Sequence, residues 1–183
     1  MEESIKTLVL TGYRSYELGV FQDKDPKIEV IKKVLKDRLT AYLEEGLEWL
    51  LIGGNLGVEI WGAQVAFTLR KEYPEFKVGV VFPFADFGGQ WQEKNAALLA
   101  EVKRQADFVE AVSHRPYESP VQLKNHTRFL LEHSGGTLIL YDDEFPGKPQ
   151  WFLKDAQSFS ETTTPYRVEK ITMDDLQNAI SEG

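Results

Sequence analysis

The sequence predicts an α/β fold of three layers, in which a mostly parallel sheet carries helices on both faces. Two observations lead to this prediction. Short apolar runs that end in glycine or proline alternate along the chain with longer segments whose apolar residues recur at helical spacing. No internal repeat, low-complexity tract or linker interrupts the alternation. A chain of 183 residues supports one sizeable core, so we expect a single domain, 1–183.

The predicted elements follow one another in strict order. The first strand covers residues 5–12. The first helix begins at Asp25-Pro26, an N-cap followed by proline, and ends at Gly46. The remaining strands are predicted at 49–52, 77–82, 107–112, 137–141 and 166–171. The remaining helices are predicted at 57–72, 92–106, 120–133, 149–159 and from Thr172 onward.

Composition limits the classes of function. The chain has 21 basic and 29 acidic residues, a net charge of −8, which argues against general affinity for nucleic acid. It contains no cysteine, which excludes disulfides and cysteine-based zinc sites, and no other ligand spacing predicts a metal site. No apolar run approaches the ~20 residues of a membrane span, and the first residues lack a signal-peptide pattern. We therefore expect a cytoplasmic protein, and the sequence leaves self-association into a homo-oligomer open.

The segment Gly53-Gly54-Asn55-Leu56-Gly57 joins a buried strand to a helix. Its glycines leave backbone amides uncovered, and the first turn of the helix has unpaired N–H groups and a positive dipole. This combination predicts a seat for a phosphate, with Glu59 placed to hold a ribose hydroxyl. The alternative is a tight strand-to-helix turn whose glycines are required only for close packing.

Ligands of open α/β sheets bind beyond the carboxyl ends of the strands, where the strand order reverses. If the order is 3-2-1-4-5, the segments Tyr13-Arg14 and His114-Arg115 flank one crevice. Arginine suits phosphate because its planar, charged fork makes two hydrogen bonds at once. The alternatives are a surface ion pair for each arginine and a backbone-bonded loop position for His114.

Aromatic residues near these loops suggest where a base would stack. Trp91 follows Gly88-Gly89, and we predict it to be an exposed stacking platform. Trp49 and Trp151 are predicted to be core residues, and Trp61 fits either role. His126 and His133 lie seven residues apart on a predicted helix without an acidic neighbour that indicates a metal site.

Several sequence blocks, in the same order along nearly the whole chain, resemble the YpsA-like family of small cytoplasmic bacterial proteins. The blocks are Thr11-Gly12-Tyr13 with Glu17-Leu18-Gly19, Glu45-Gly46-Leu47-Glu48-Trp49 into Gly57-Val58-Glu59, His114-Arg115-Pro116-Tyr117-Glu118-Ser119-Pro120, and Ile171-Thr172-Met173-Asp174-Asp175-Leu176.

That family is similar to the wider SLOG superfamily of Rossmann-like nucleotide-binding domains, which includes DNA-processing protein A and the cytokinin-activating phosphoribohydrolases. The similarity to the DNA-processing group lies in Gly12 with Arg14, in the glycine-rich segment ending at Glu59, and in Arg128 before Ser134. The Pro-Gly-Gly-x-Gly-Thr turn of the hydrolase group has no close match here.

The resemblance implies a nucleotide-binding sensor or regulator whose small-molecule ligand is ADP-ribose or an NAD-like dinucleotide, with no established cofactor. An alternative is a phosphoribohydrolase or N-glycosidase that uses the same pocket, with Glu59 as its acid or base. Binding of single-stranded DNA is a further alternative that the acidic balance disfavours. The predicted ligand-binding residues are Gly12, Tyr13, Arg14, Gly53, Gly54, Asn55, Leu56, Gly57, Glu59, Trp91, His114, Arg115 and Arg128.

Overall fold

The structure is a computed structural model that describes residues 4–182. Within these residues it contains six strands, six α-helices and one 3-10 turn at Ser15–Leu18. The strands are β1 Thr7–Gly12, β2 Trp49–Ile52, β3 Lys77–Phe82, β4 Phe108–Ala111, β5 Gly136–Leu140 and β6 Arg167–Ile171. The helices are α1 Pro26–Glu44, α2 Val58–Leu69, α3 Glu93–Gln105, α4 Pro120–Glu132, α5 Pro149–Thr162 and α6 Met173–Glu182.

All the described strand pairs are parallel, in the order β4-β3-β2-β1-β5-β6. Helices α1, α2, α3 and α6 contact one another in a series on one face, whereas α4 and α5 contact each other on the opposite face. The predicted α/β fold with helices on both faces of a parallel sheet is confirmed.

The conditional strand order 3-2-1-4-5 is wrong. Strand β4 pairs with β3 at the edge of the sheet, and β5 pairs with β1, so the order reverses between β1 and β5. Burial explains this difference, because every residue of β5 is buried whereas three of the four residues of β4 are exposed. A strand that is apolar on both faces belongs in the interior of the sheet, and a half-exposed one belongs at its edge.

The predicted start and end of the first helix are confirmed in detail. The side chain of Asp25 accepts a hydrogen bond from the Lys27 amide at 2.9 Å at the start of α1, and Gly46 ends that helix with a positive φ of 113°. At the start of α4, the side chain of Gln122 accepts from the Ser119 amide at 3.1 Å, as a capping box requires.

The core consists of two layers of aliphatic side chains, one on each face of the sheet. Leu8 and Leu10 of β1 belong to the larger layer under α1 and α2, and Val9 of the same strand belongs to the smaller layer under α4. Alternation along one strand therefore supplies both layers. Within residues 4–182, none of the helices combines the length and the apolar character that a bilayer crossing requires.

Candidate ligand site at the carboxyl edge of the sheet

The loop between β2 and α2 is organised around the carboxylate of Glu59, a buried residue that is 3% exposed. Its Oε1 accepts from the Gly53 amide at 2.8 Å and from the Asn55 amide at 3.2 Å. Its Oε2 accepts from Thr11 Oγ1 and from Asn55 Nδ2, both at 2.9 Å. Two amides of the expected phosphate seat are therefore occupied by the protein's own carboxylate, contrary to the expectation that they face a ligand.

The glycines of this loop are explained by close packing. A Cβ on Gly54, which has φ 96°, would lie 2.5 Å from Phe82 Cε1. A Cβ on Gly57, which has φ 95°, would lie 2.5 Å from the carbonyl oxygen of Tyr13. The packing alternative thus accounts for both glycines, and a side chain at Gly54 would displace Phe82 before it met any ligand. Leu56 packs against the larger core layer.

Two residues connect the segment after β1 to the segment after β5, across the point where the strand order reverses. The hydroxyl of Tyr13 donates to the carbonyl of Phe145 at 2.7 Å and accepts from the Asp142 amide at 2.9 Å. Burial raises the pKa of the Tyr13 phenol above its ordinary value. This crevice, where a ligand was expected, is therefore spanned by the protein's own hydrogen bonds.

The carboxylate of Glu17 makes the second connection. Its Oε1 accepts from the Arg14 amide and its Oε2 from the Lys148 amide, each at 2.8 Å. The side chain of Arg14 donates from Nη1 to the Gly12 carbonyl at 3.2 Å, and Lys148 Nζ lies 5.4 Å from the centre of the Tyr16 ring. Glu17 thus fixes the backbones of two cationic residues next to each other.

Beside this connection lies a cavity of about 400 Å³, on the side of the sheet that carries α4 and α5. Its wall includes the polar residues of the Glu59 network and the two cations joined by Glu17. An apolar part is supplied by α4 and by Trp151, which is 65% exposed, at the start of α5. Its volume falls within the range of small-molecule sites, roughly 300 to 1,000 Å³.

The prediction that Trp151 is a core residue is wrong. The buried residues of α5 are Pro149, Leu153 and Ala156. At about 100° per residue, position 151 lies roughly 200° from position 153, which puts Trp151 on the other side of the helix. Helical periodicity would have identified it as an exposed residue.

His126 also lines the cavity. The sequence alone had suggested no role for it beyond its spacing from His133. Its Nε2 lies 2.6 Å from the carbonyl oxygen of Val81, so the ring donates from that nitrogen. Removal from water lowers the pKa of His126, although the Val81 carbonyl and the charge of Glu59 oppose that effect. The helical spacing of His126 to the buried Leu130 was the available signal that it faces the sheet.

Nine of the thirteen predicted ligand-binding residues do not line this cavity, among them Trp91, His114, Arg115 and Arg128. His114 and Arg115 follow the edge strand β4, so their expected place opposite Tyr13-Arg14 is wrong. His114 Nε2 lies 3.6 Å from the Glu110 carboxylate, and both side chains are exposed. Arg115 makes a similar contact in solvent, and Arg128 is exposed on α4.

Of the other predicted residues, Arg14, Gly53, Asn55 and Glu59 line the cavity, whereas Gly12, Tyr13, Gly54, Leu56 and Gly57 do not. Gly12 is needed for packing, because a Cβ there would lie 2.9 Å from Val58 Cγ1. The sequence missed Glu17, His126 and Lys148 as parts of the site.

Comparison with known proteins gives one consistent family. A family model described as "YspA SLOG family" matches residues 8–176. A UPF0398 protein of Enterococcus faecalis is 60% identical over 178 residues, covering 97% of this chain and 98% of the relative. UPF0398 proteins of Lacticaseibacillus casei and Bacillus pumilus are 49% and 47% identical, each over 94% of this chain and at least 90% of the relative. The resemblance inferred from the sequence blocks is therefore confirmed, and the chain belongs to the YpsA-type SLOG family.

Proposed function

We propose that the protein binds a nucleotide of the ADP-ribose or dinucleotide type in the 400 Å³ cavity and acts as a sensor or regulator that does not consume its ligand. The observation that carries the proposal is the meeting of Arg14, Lys148 and Trp151 in one cavity wall. The two cationic side chains suit the phosphates of a nucleotide, and the exposed indole suits its base.

The arrangement of the cations favours a bound phosphate. Glu17 uses both carboxylate oxygens on backbone amides, so it fixes the two segments and leaves the Arg14 guanidinium and the Lys148 ammonium for other partners. Arg14 makes one hydrogen bond to a carbonyl, which orients the guanidinium and leaves further N–H groups to donate. Two cations near a partly closed cavity would hold a phosphate more firmly than an exposed pair.

The bonding of Glu59 supports binding without turnover. A carboxylate has about four acceptor positions, and four donors already occupy those of Glu59. A general base needs an oxygen able to take a proton from its substrate. Glu59 would have to break an internal bond first, which disfavours the phosphoribohydrolase alternative.

Single-stranded DNA is a poor match for the same surface. Proteins that bind single strands need a cationic groove that follows the backbone. The chain carries a net charge of −8, and Arg115 and Arg128, the other predicted ligand-binding arginines, lie outside the cavity. The net charge and the position of these arginines therefore disfavour the nucleic-acid alternative at this cavity.

Isothermal titration calorimetry with ADP-ribose and with NAD tests the proposal. We expect saturable binding of at least one of them, weakened about tenfold or more by Arg14→Ala because a charge-assisted contact is lost. Trp151→Ala should weaken binding by a similar factor through loss of stacking. Arg115→Ala is the matched control, because it removes an exposed arginine outside the cavity.

The recovered nucleotide should be chemically unchanged after long incubation, as judged by chromatography. Equal affinities of Arg14→Ala and Arg115→Ala would refute the assignment of the cavity. Release of a free base or of ribose phosphate that disappears in Glu59→Gln would instead establish the hydrolase alternative.

A further inference from the structure

A second cavity, of about 600 Å³, lies over the loops that follow β3 and β4. Its wall includes the aromatic rings of Phe84, Trp91 and Tyr117 and the carboxylate-bearing Asp86. From this combination we propose that the cavity is an aromatic cage for an organic cation that carries a quaternary ammonium group. The inference is independent of the proposed nucleotide site.

The measured ring pairs at this cavity are steeply inclined to each other and are not parallel. The centres of Phe84 and Tyr117 are 5.3 Å apart, with 59° between their planes. Phe87, which lines the 400 Å³ cavity, lies 5.5 Å from Phe84 and 5.4 Å from Trp91, at 60° and 71°. A flat base stacks on a ring face or between parallel rings, whereas steeply inclined rings suit a rounded group such as trimethylammonium.

The charge of the cavity selects the same class of ligand. Among its lining residues, all of which the structure describes, Asp86 carries the one charge. Within residues 4–182, no hydrogen bond or ion pair engages the Asp86 carboxylate. An aromatic wall with a single free carboxylate attracts a cation through the ring quadrupoles and the negative charge, and it repels phosphate.

The backbone holds these groups in place before any ligand arrives. Asp86 has φ 64°, and among residues 4–182 it is the one non-glycine residue with a positive φ. Gly88, at φ 79°, lies beneath Trp91, because a Cβ there would be 3.3 Å from the indole ring. A positive φ is uncommon at a non-glycine residue, although aspartate adopts it more readily than most. The loop therefore places Asp86 in the same cavity wall as the rings.

The loop that carries Tyr117 is fixed as well. The amide of Ala85 donates to the carbonyl of Arg115 at 2.9 Å, which joins the two loops of the cage. Gln122 Nε2 donates to the Pro116 carbonyl at 3.0 Å from the first turn of α4. Tyr117 itself is 50% exposed, so its ring is available for contact and is not used up in the core.

NMR of the indole N–H groups tests the proposal, with choline as the probe. The chain has four tryptophans, and Trp91 is assigned by the signal that is missing in Trp91→Phe. We expect choline to shift the Trp91 signal saturably and to bind about tenfold more tightly than its neutral isostere 3,3-dimethylbutan-1-ol. Asp86→Asn keeps a residue that tolerates positive φ and should weaken choline about fivefold. Trp151→Ala, in the other cavity, should leave choline binding unchanged.

Three results would overturn the cage. Equal affinity for choline and its neutral isostere would show an apolar cavity without selection for charge. Absence of any choline-dependent shift at Trp91, in a chain whose circular dichroism is native, would show that the rings bind no such cation. A shift of Trp91 by ADP-ribose but not by choline would assign the rings to a nucleotide base instead.

Discussion

The loop after β2 and the loop after β4 both lie at the carboxyl ends of the parallel strands, yet they use their polar groups in opposite ways. After β2, the amides of Gly53 and Asn55 are bound by a buried carboxylate. After β4, the side chains of His114 and Arg115 make long contacts with the exposed carboxylates of Glu110 and Glu118. Both loops carry groups that suit phosphate, so residue type alone does not identify a site. The number of internal partners decides whether a polar group builds the fold or remains open to a ligand.

The difference follows from position in the sheet. Strand β2 is interior, so a polar group at its end that lacked a partner would cost about 1 to 3 kcal/mol. Strand β4 is at the edge, where water solvates the charges and an exposed ion pair contributes about 0 to 1 kcal/mol. Mutations in the first loop should therefore affect the free energy of unfolding, and those in the second should not.

The largest expected effect comes from Glu59→Ala. It leaves the Gly53 and Asn55 amides and the Thr11 hydroxyl without their acceptor in a buried place, so we expect the free energy of unfolding to fall by about 4 kcal/mol. Urea denaturation followed by circular dichroism measures the change. Glu118→Ala is the matched control, because its carboxylate pairs with Arg115 in solvent, and its midpoint should not move.

If the urea midpoint of Glu59→Ala equals that of the wild type within error, water replaces the carboxylate as the acceptor for the loop amides. The two loops would then not differ in their contribution to stability. Glu59→Gln sharpens the test. The amide keeps one acceptor oxygen but turns an NH2 group toward donors, so we expect an intermediate loss of stability.

A smaller effect is expected from Gly57→Ala. The added methyl group would lie 2.5 Å from the Tyr13 carbonyl oxygen, and the alanine would have to keep a φ of 95°. Together these two effects should lower the free energy of unfolding by about 3 kcal/mol. Gly19→Ala separates these two causes, because Gly19 has φ 68° with no atom within 4 Å of a Cβ. It should cost about 1 kcal/mol, as backbone strain alone does. Equal losses in urea denaturation would show that the approach to Tyr13 has no energetic role.

The sequence predicted the elements well because their signals are local. The N-cap at Asp25 and the positive φ at Gly46 depend on a few neighbouring residues, and both were read correctly. The order of the strands depends on pairing between distant segments, which periodicity does not reveal. The complete burial of β5 beside β1 decided that order, and the sequence showed only that both strands were apolar.

The candidate site was predicted in part, for a related reason. The glycines and Glu59 stood out as a motif, but a motif does not state whether a carboxylate faces a ligand or returns to its own loop. Glu17 and Lys148 escaped notice because they are 131 residues apart and meet only in the folded chain. Trp151 is different, because the helical periodicity of the residues around it does predict an exposed position.

The smallest expected effect is a pH dependence from His126. Its pKa is lowered in the folded chain by burial, whereas an imidazole in the unfolded chain titrates near about 6.5. The unfolded state therefore takes up a proton that the folded state does not. The stabilisation is complete above about pH 6.5 and declines as the pH falls below it, by at most about 1.4 kcal/mol per pH unit, until the lowered pKa is passed.

Urea midpoints measured from pH 7.5 to 5 in wild type and in His126→Gln test this dependence. The variant should be less stable at pH 7.5 because it loses the bond to Val81, and its midpoint should change less between pH 6.5 and 5. Asn125→Ala, an exposed position on the same helix, should keep the wild-type profile. A steeper profile in His126→Gln than in wild type would mean that the histidine gains stability from its proton. The charge of Glu59 would then outweigh the effect of burial, because a nearby carboxylate favours the charged imidazole.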